Sequence, residues 1–235
     1  MSRIFLAGAT GVIGRRLTPL LLAQGHTVWG STRSPDKSEV LRKLGALPVL
    51  VDAFDAEALA TAVLEAKSEI VIHQLTDLAA IQDPAKWSDA LARNARIRDE
   101  GTRNLVAAAR NAGARRLIAQ SIAWAYAGGP RPYGEDHPLD LNADGDRAVS
   151  VRGVESRRVA YGRAGVALWP AVRPGQSSSC APEPALGPCR CSGPRRPARD
   201  RSCGSGVFNI ADLNDEVSTV KARTELGWRA DFRMD

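Results

Sequence analysis

No apolar run in the 235 residues approaches the roughly 18–20 needed to span a bilayer, so a membrane-spanning role is not expected. The amino-terminal residues also lack the basic head, apolar stretch and small-residue cleavage site of an export signal, and a cytoplasmic location is expected. Only three histidines occur, His26, His73 and His137, far apart and without metal-ligand spacing. The four cysteines, Cys180, Cys189, Cys191 and Cys203, are spaced C-x8-C-x-C-x11-C and lack the paired knuckles of a zinc site, so no metal is expected. Lysine is missing altogether between Lys86 and Lys221.

The net charge of +6 is unevenly placed. Residues 151–205 hold ten arginines against three acids (Glu155, Glu183, Asp200), together with all four cysteines and seven of the 14 prolines, so the rest of the chain is near neutral. Such a basic stretch without interleaved aromatic residues or a nucleic-acid motif gives no reason to expect nucleic acid as a partner. From about 160 to 205 there is no period of 2 or 3.6, and Pro, Arg, Ser, Gly and Cys dominate, which is the composition of irregular chain. Three parts are therefore expected: an ordered domain over 1–155, an irregular basic segment over 156–205, and an ordered remnant over 206–235.

Within the first part, strands and helices alternate. Strands are expected at Arg3 to Ala7, Thr27 to Ser31, Pro48 to Val51, Glu69 to Gln74 and Arg116 to Ser121. Helices are expected at Ile13 to Gln24, stopped by Gly25; at Asp36 to Leu44, capped by Ser34 or Asp36; after Asp55, where Leu59, Ala62, Val63 and Ala66 keep helical spacing; and over most of Asp83 to Asn111, with a kink near Gly101. Strict βαβα alternation argues for an α/β fold, a doubly wound parallel sheet covered on both faces. A further helix over 146–158, a strand over Gly206 to Ile210 and a short helix over Val217 to Leu226 complete the reading.

The first strand runs into Gly8-Ala9-Thr10-Gly11-Val12-Ile13-Gly14. In this spacing the first glycine makes a tight turn, the second lets the backbone approach a pyrophosphate, and the third lets helix and strand pack closely. The helix amino terminus then offers N–H groups and a positive dipole end to the anion. Three glycines alone are a weak signal; after an opening strand and before an amphipathic helix they mark a Rossmann-type dinucleotide site. A nicotinamide-adenine site for NAD usually has an acid at the end of the second strand. Here that strand ends Gly30-Ser31-Thr32-Arg33-Ser34, so Arg33 is expected to take a 2′-phosphate, and NADP is preferred over NAD. Asp52, after the third strand, either bonds the adenine amino group or caps the next helix. His73 either lines the cofactor cleft or packs in the core. The candidate cofactor residues are Gly8, Thr10, Gly11, Val12, Ile13, Gly14, Arg33, Asp52, Gln74 and Leu75.

These residues resemble the NAD-dependent epimerase/dehydratase family of extended and atypical short-chain dehydrogenases/reductases. The resemblance rests on the glycine turn, Val51-Asp52, Val71-Ile-His-Gln-Leu75, Asn94, Gly101-Thr-Arg-Asn-Leu105 and Leu117-Ile-Ala-Gln-Ser-Ile122, and resumes over Gly206 to Ile210 and Lys221-Ala-Arg-Thr-Glu-Leu-Gly-Trp228. It implies a Rossmann domain with a smaller substrate region, here truncated and largely irregular, and hydride chemistry on a hydroxyl or carbonyl of a small molecule such as a nucleotide sugar. A homodimer formed through helices 84–111 and 146–158 is one expected assembly. The family's catalytic set is a Ser/Thr after the fifth strand and a Tyr-x-x-x-Lys on the next helix. Ser121 matches the first, although a serine there could simply end the strand. The Tyr-Lys pair is absent: residues four beyond Tyr126, Tyr133 and Tyr161 are Pro130, His137 and Gly165. Tyr126 or Tyr133 is left to act as the acid. Arg152, in the place of the pair, is a poor proton relay. The alternative function is a nucleotide-sensing binding protein without turnover.

One reading explains why family character stops near 156 and returns near 206. Ala167-Leu-Trp-Pro-Ala-Val-Arg-Pro-Gly175 can be encoded by a string that, read one base later, gives Arg-Tyr-Gly-Gln-Leu-Tyr-Gly-Pro. Extended short-chain dehydrogenases carry such a segment after the catalytic helix. The expectation is that residues from about 156 to 205 are translated out of frame, impairing the encoded protein, and that resequencing the gene would show it.

Overall fold

The computed structural model describes residues 1–77, 87–122, 126–142, 166–169, 206–211 and 215–229. The expected helix over 146–158 lies outside these residues, as does all of 156–205 except 166–169.

Five strands form the first part: β1 (Arg3–Ala7), β2 (Thr27–Thr32), β3 (Leu47–Leu50), β4 (Ile70–His73) and β5 (Arg116–Ile122). They alternate with α1 (Val12–Ala23), α2 (Pro35–Lys43), α3 (Ala56–Glu65), α4 (Trp87–Arg96) and α5 (Thr102–Asn111). Two further strands, β6 (Val166–Trp169) and β7 (Val207–Asn209), extend a seven-stranded sheet of order β3-β2-β1-β4-β5-β6-β7, every neighbouring pair parallel. The expected doubly wound parallel sheet is present. The expectation of no regular structure between 160 and 205 is corrected by β6, whose Ala167 pairs with Gln120 on one side and Phe208 on the other. Four apolar residues are too few to show a period, and only pairing with β5 makes them a strand.

The central strands β1 and β4 are dry on both faces, which is why they read as apolar runs. Along β1, Phe5 and Ala7 join Val71, Leu117 and Ala119 under α3 and α5, packed on Leu59, Val63, Leu105 and Val106. Ile4 and Leu6 face the other way with Ile70 and Ile72, onto Leu21 of α1 and Leu41 of α2. The alternation follows from the two-residue period of a strand. Asp55 caps α3, its Oδ1 accepting from Ala58 N at 3.0 Å.

Between α4 and α5 the helix widens into a single π turn, Ile97–Gly101, so the kink expected near Gly101 is a local change of helical pitch. The last helix, α6 (Val220–Leu226), ends at Gly227 in the left-handed region, φ 67°, and packs Ala222 against Phe208 and Ile210. Among the described residues no helix is long and apolar enough to cross a membrane, and no group of three or more potential ligands could hold a metal.

Candidate nucleotide-binding site

Strand order reverses between β1 and β4, since β2 leaves β1 on one side and β4 joins it on the other. Such a switch point opens a crevice at the carboxyl ends of the strands. The glycine turn lies there. Gly8 sits at φ 84°, and a Cβ on it would lie 2.7 Å from Gln74 O, so only glycine fits beside β4. Gly11 N donates to Gly8 O at 3.0 Å, closing the turn. A Cβ on Gly14 would overlap Gly8 O and the Ala9 backbone, which makes this glycine the close contact between α1 and the turn. Gly11 is the amino-terminal cap of α1 and no side chain closes that end, leaving the first N–H groups for an anion. Val12 is 60% exposed beside them and Ile13 is half-buried.

Hydroxyls gather at the end of β2. Ser31 Oγ accepts from Gly8 N at 3.3 Å, and Thr32 Oγ1 accepts from Ser34 N at 3.2 Å and lies 3.4 Å from Thr10 Oγ1. Arg33 is exposed between them. Asp52 is also exposed; its Oδ1 accepts from Phe54 N at 3.0 Å, two residues on, so the helix cap is Asp55 and not Asp52.

The end of β4 is held from above by the helical stretch. His73 is buried, and its Nδ1 accepts from Leu75 N at 3.2 Å, which leaves Nε2 to carry the proton and donate to Thr102 Oγ1 at 2.8 Å. Gln74 N donates to Ala7 O at 2.9 Å, while its Oε1 is buried with no hydrogen-bond partner among the described residues. Asp77 N donates to Asn94 Oδ1 at 3.2 Å. These residues fit a bound dinucleotide: a turn with no room for Cβ, an uncapped helix end, and an unsatisfied buried amide oxygen beside it.

Ser121 lies near the carboxyl end of β5, in register with Leu168 of β6. Tyr126 lies on the loop after β5. It is 3% exposed, and its hydroxyl donates to Asn209 Oδ1 at 2.8 Å, while Asn209 Nδ2 donates to Tyr133 O at 3.1 Å. The proton is thus engaged in tying the 126–139 loop to β7. Tyr133 packs against His137 with ring centroids 4.6 Å apart and planes tilted by 44°.

One buried residue between Asn94 and Thr102 was not singled out in the sequence. Arg98, in the π turn, is 7% exposed; its Nε has no hydrogen-bond partner among the described residues, and burial pushes its pKa down to about 10. Its neighbours Arg96, Asp99 and Glu100 make Ile97-Arg-Asp-Glu-Gly101 look like a solvated surface. The available signal was its helical spacing, four residues from both Asn94 and Thr102.

Fold and site together define a nucleotide-binding domain of the doubly wound α/β type. The signature of the family described as NAD(P)H-binding matches residues 8–148, more than half of the chain, and the chain belongs to that family. Over 154 residues it is 46% identical to a 3-diazoavenalumate denitrifying reductase of a Streptomyces species, an alignment spanning 65% of this chain and 49% of that protein. The chain thus covers about half the length of this curated relative. Among solved structures, the Bordetella bronchiseptica enzyme WbmG in complex with NAD superposes with a TM-score of 0.65 at 21% identity, covering 99% of this chain and 90% of that one. A short-chain dehydrogenase/reductase superfamily protein of Agrobacterium tumefaciens with bound NAD matches at 26% identity and a TM-score of 0.55, covering 71% and 48%. The resemblance read from the sequence is borne out in its NAD(P)-binding domain of short-chain dehydrogenase type.

Proposed function

We propose that the chain is an NADP-linked oxidoreductase that exchanges a hydride with a carbonyl or hydroxyl carbon of a small molecule. The observation that carries this reading is the turn at Gly8, Gly11 and Gly14, which excludes side chains from the switch-point crevice and presents the open end of α1. Gly11, Val12, Ile13 and Gly14 bind the pyrophosphate through backbone N–H groups. Arg33 pairs with the 2′-phosphate, with Thr10, Thr32 and Ser34 supplying hydroxyls. Asp52 accepts from the adenine amino group, and Gln74 and Leu75 line the floor. When bound, the cofactor supplies the hydride; Ser121 orients the substrate oxygen. The 46% identical relative is named a reductase, which supports reduction as the working direction.

A second reading, nucleotide sensing without turnover, draws support from the engaged Tyr126 hydroxyl and from the lack of lysine between Lys86 and Lys221. Loss of reduced-nicotinamide absorbance separates the two, with aldehydes, ketones and a nucleotide-linked keto sugar as substrates. Substrate-dependent oxidation of NADPH supports the enzyme. Binding of NADPH with no oxidation by any of them supports the sensor.

A further inference from the structure

The helical stretch from Trp87 to Asn111 turns two faces toward the strand ends. One faces the loop after β3: a Cβ on Gly101 would meet Ala53 at 3.8 Å and Phe54 at 3.9 Å, and Asn104 Nδ2 donates to Ala53 O at 3.0 Å. The other faces the chain leaving β4, where Asn94 holds Asp77 N and Thr102 holds His73 Nε2. Arg98 lies between Asn94 and Thr102 in the chain and is buried as they are, with exposures of 7%, 7% and 5% for Asn94, Arg98 and Thr102. Arg98 thus belongs to the stretch whose Asn94 and Thr102 are bonded to the chain at and beyond the carboxyl end of β4. The next strand in the sheet is β5, where Ala119 pairs with His73 and Ser121 follows. The glycine turn lies on the other side of β4, against β1 and β2.

An arginine in that position is costly. Its Nε is fully buried with no partner among the described residues, and it forms no ion pair there. At a pKa of about 10 the guanidinium keeps its charge at neutral pH. Arg98 also sits in the one described turn of the molecule with π geometry, a distortion found often at functional sites. A buried charge whose Nε has no partner among the described residues, next to the strand ends where such folds bind ligands, points to a ligand-binding role.

We propose that Arg98 is a substrate-binding residue that receives a carboxylate of the substrate at the Ser121 side of the cleft. The forked guanidinium suits a planar carboxylate, which would also supply the missing counter-charge. This rests on the reading of the cleft as a nicotinamide-nucleotide site. The shared chemistry is an oxyanion, and the cofactor's own phosphates are the other source of one.

The test is thermal unfolding of the full chain and of R98M and R98K, with NADP alone, with NADP plus benzoate, and with NADP plus the uncharged benzamide. In the wild type, benzoate and not benzamide should raise the midpoint beyond NADP alone. R98M should weaken benzoate by about tenfold or more, since a charge-assisted bond is lost. R98K should keep part of the response. NADP should shift all three proteins alike, and ligand-free R98M should unfold no lower than wild type, because an unpaired buried charge has been removed. An unchanged benzoate response in R98M, or none in the wild type, overturns the proposal. A loss of NADP response in R98M with benzoate unaffected assigns the oxyanion to the cofactor and overturns it as well. A lower ligand-free midpoint in R98M with unaltered binding makes Arg98 structural. Failure of NADP to shift the wild type defeats the cofactor reading separately, since benzoate can still be compared between wild type and R98M.

Discussion

Tyr126 Oη donates to Asn209 Oδ1 at 2.8 Å, joining the loop after β5 to β7 across 83 residues of chain. Asn209 is 1% exposed, its N–H donates to Glu135 Oε1 at 2.7 Å, and its Nδ2 donates to Tyr133 O. One side chain thus ties Tyr126 and Tyr133 of the 126–139 loop to the edge strand of the sheet.

Tyr126→Phe should destabilise the chain by about 1–3 kcal/mol, because it leaves a buried acceptor unsatisfied. Thermal unfolding should show a midpoint lower by several degrees, with NADPH affinity unchanged. Full turnover in this variant, once a substrate is in hand, removes Tyr126 as an acid; loss of turnover without loss of stability restores it.

Two glycines of the turn, Gly11 and Gly14, should fail differently. A Cβ on Gly11 meets only Gly8 O, at 3.2 Å, whereas one on Gly14 collides with the backbone of Ala9. Gly11→Ala should therefore fold near the wild-type midpoint and bind NADPH weakly. Gly14→Ala should lower the midpoint as well, since α1 must move off the turn. Circular-dichroism melts with and without NADPH distinguish the two.

Arg33 is the test of cofactor choice. Replacing it with Ala should weaken NADPH by about tenfold or more while leaving NADH nearly unchanged, as one charge-assisted contact to the 2′-phosphate is lost. Titration calorimetry with both nucleotides measures the ratio. Equal losses for NADPH and NADH would place Arg33 on a part of the nucleotide that both share.

The corner at Ser2, His26 and Glu69 should make stability pH-dependent. Burial first, then the positive amino terminus and Arg115, hold the His26 pKa below 6.5, while its Nδ1 accepts from Ser2 N at 3.2 Å. The unfolded chain therefore binds the proton more readily, and stability is present above about 6.5 and falls as pH drops through the folded pKa. Glu69 adds a loss of the same sign lower down, since the Arg3 N–H, followed by Arg3 and Arg115, keeps its carboxyl below 4.5. Both groups are solvent-accessible, so each contribution is modest. Midpoints measured for wild type and His26→Gln from neutral to mildly acidic pH should converge as the pH falls.

What the sequence made legible is the part fixed by short-range rules. β1 through β5 fall within a residue or two of their expected ends because glycine, capping residues and period-2 or 3.6 patterns mark each boundary. The glycine turn was readable for the same reason. Asp55 was legible as the cap of α3, whereas Asp52 stayed open between cap and adenine contact until its bond to Phe54 N set it apart from the helix end. Tyr126 looked available because its partner, Asn209, lies far along the chain. Arg98 looked solvated because its charged neighbours are, and only packing of the helix over β4 buries it. β6 carried no signal until β5 and β7 were placed on either side.

The most direct test of the account is thermal unfolding of the purified chain alone, with NADPH and with NADH. At about 100 times its dissociation constant a ligand adds roughly 2.7 kcal/mol, enough to raise the midpoint by several degrees. The account predicts a single cooperative transition, shifted upward by both nucleotides and further by NADPH at equal concentration. A transition that moves with neither nucleotide would contradict it.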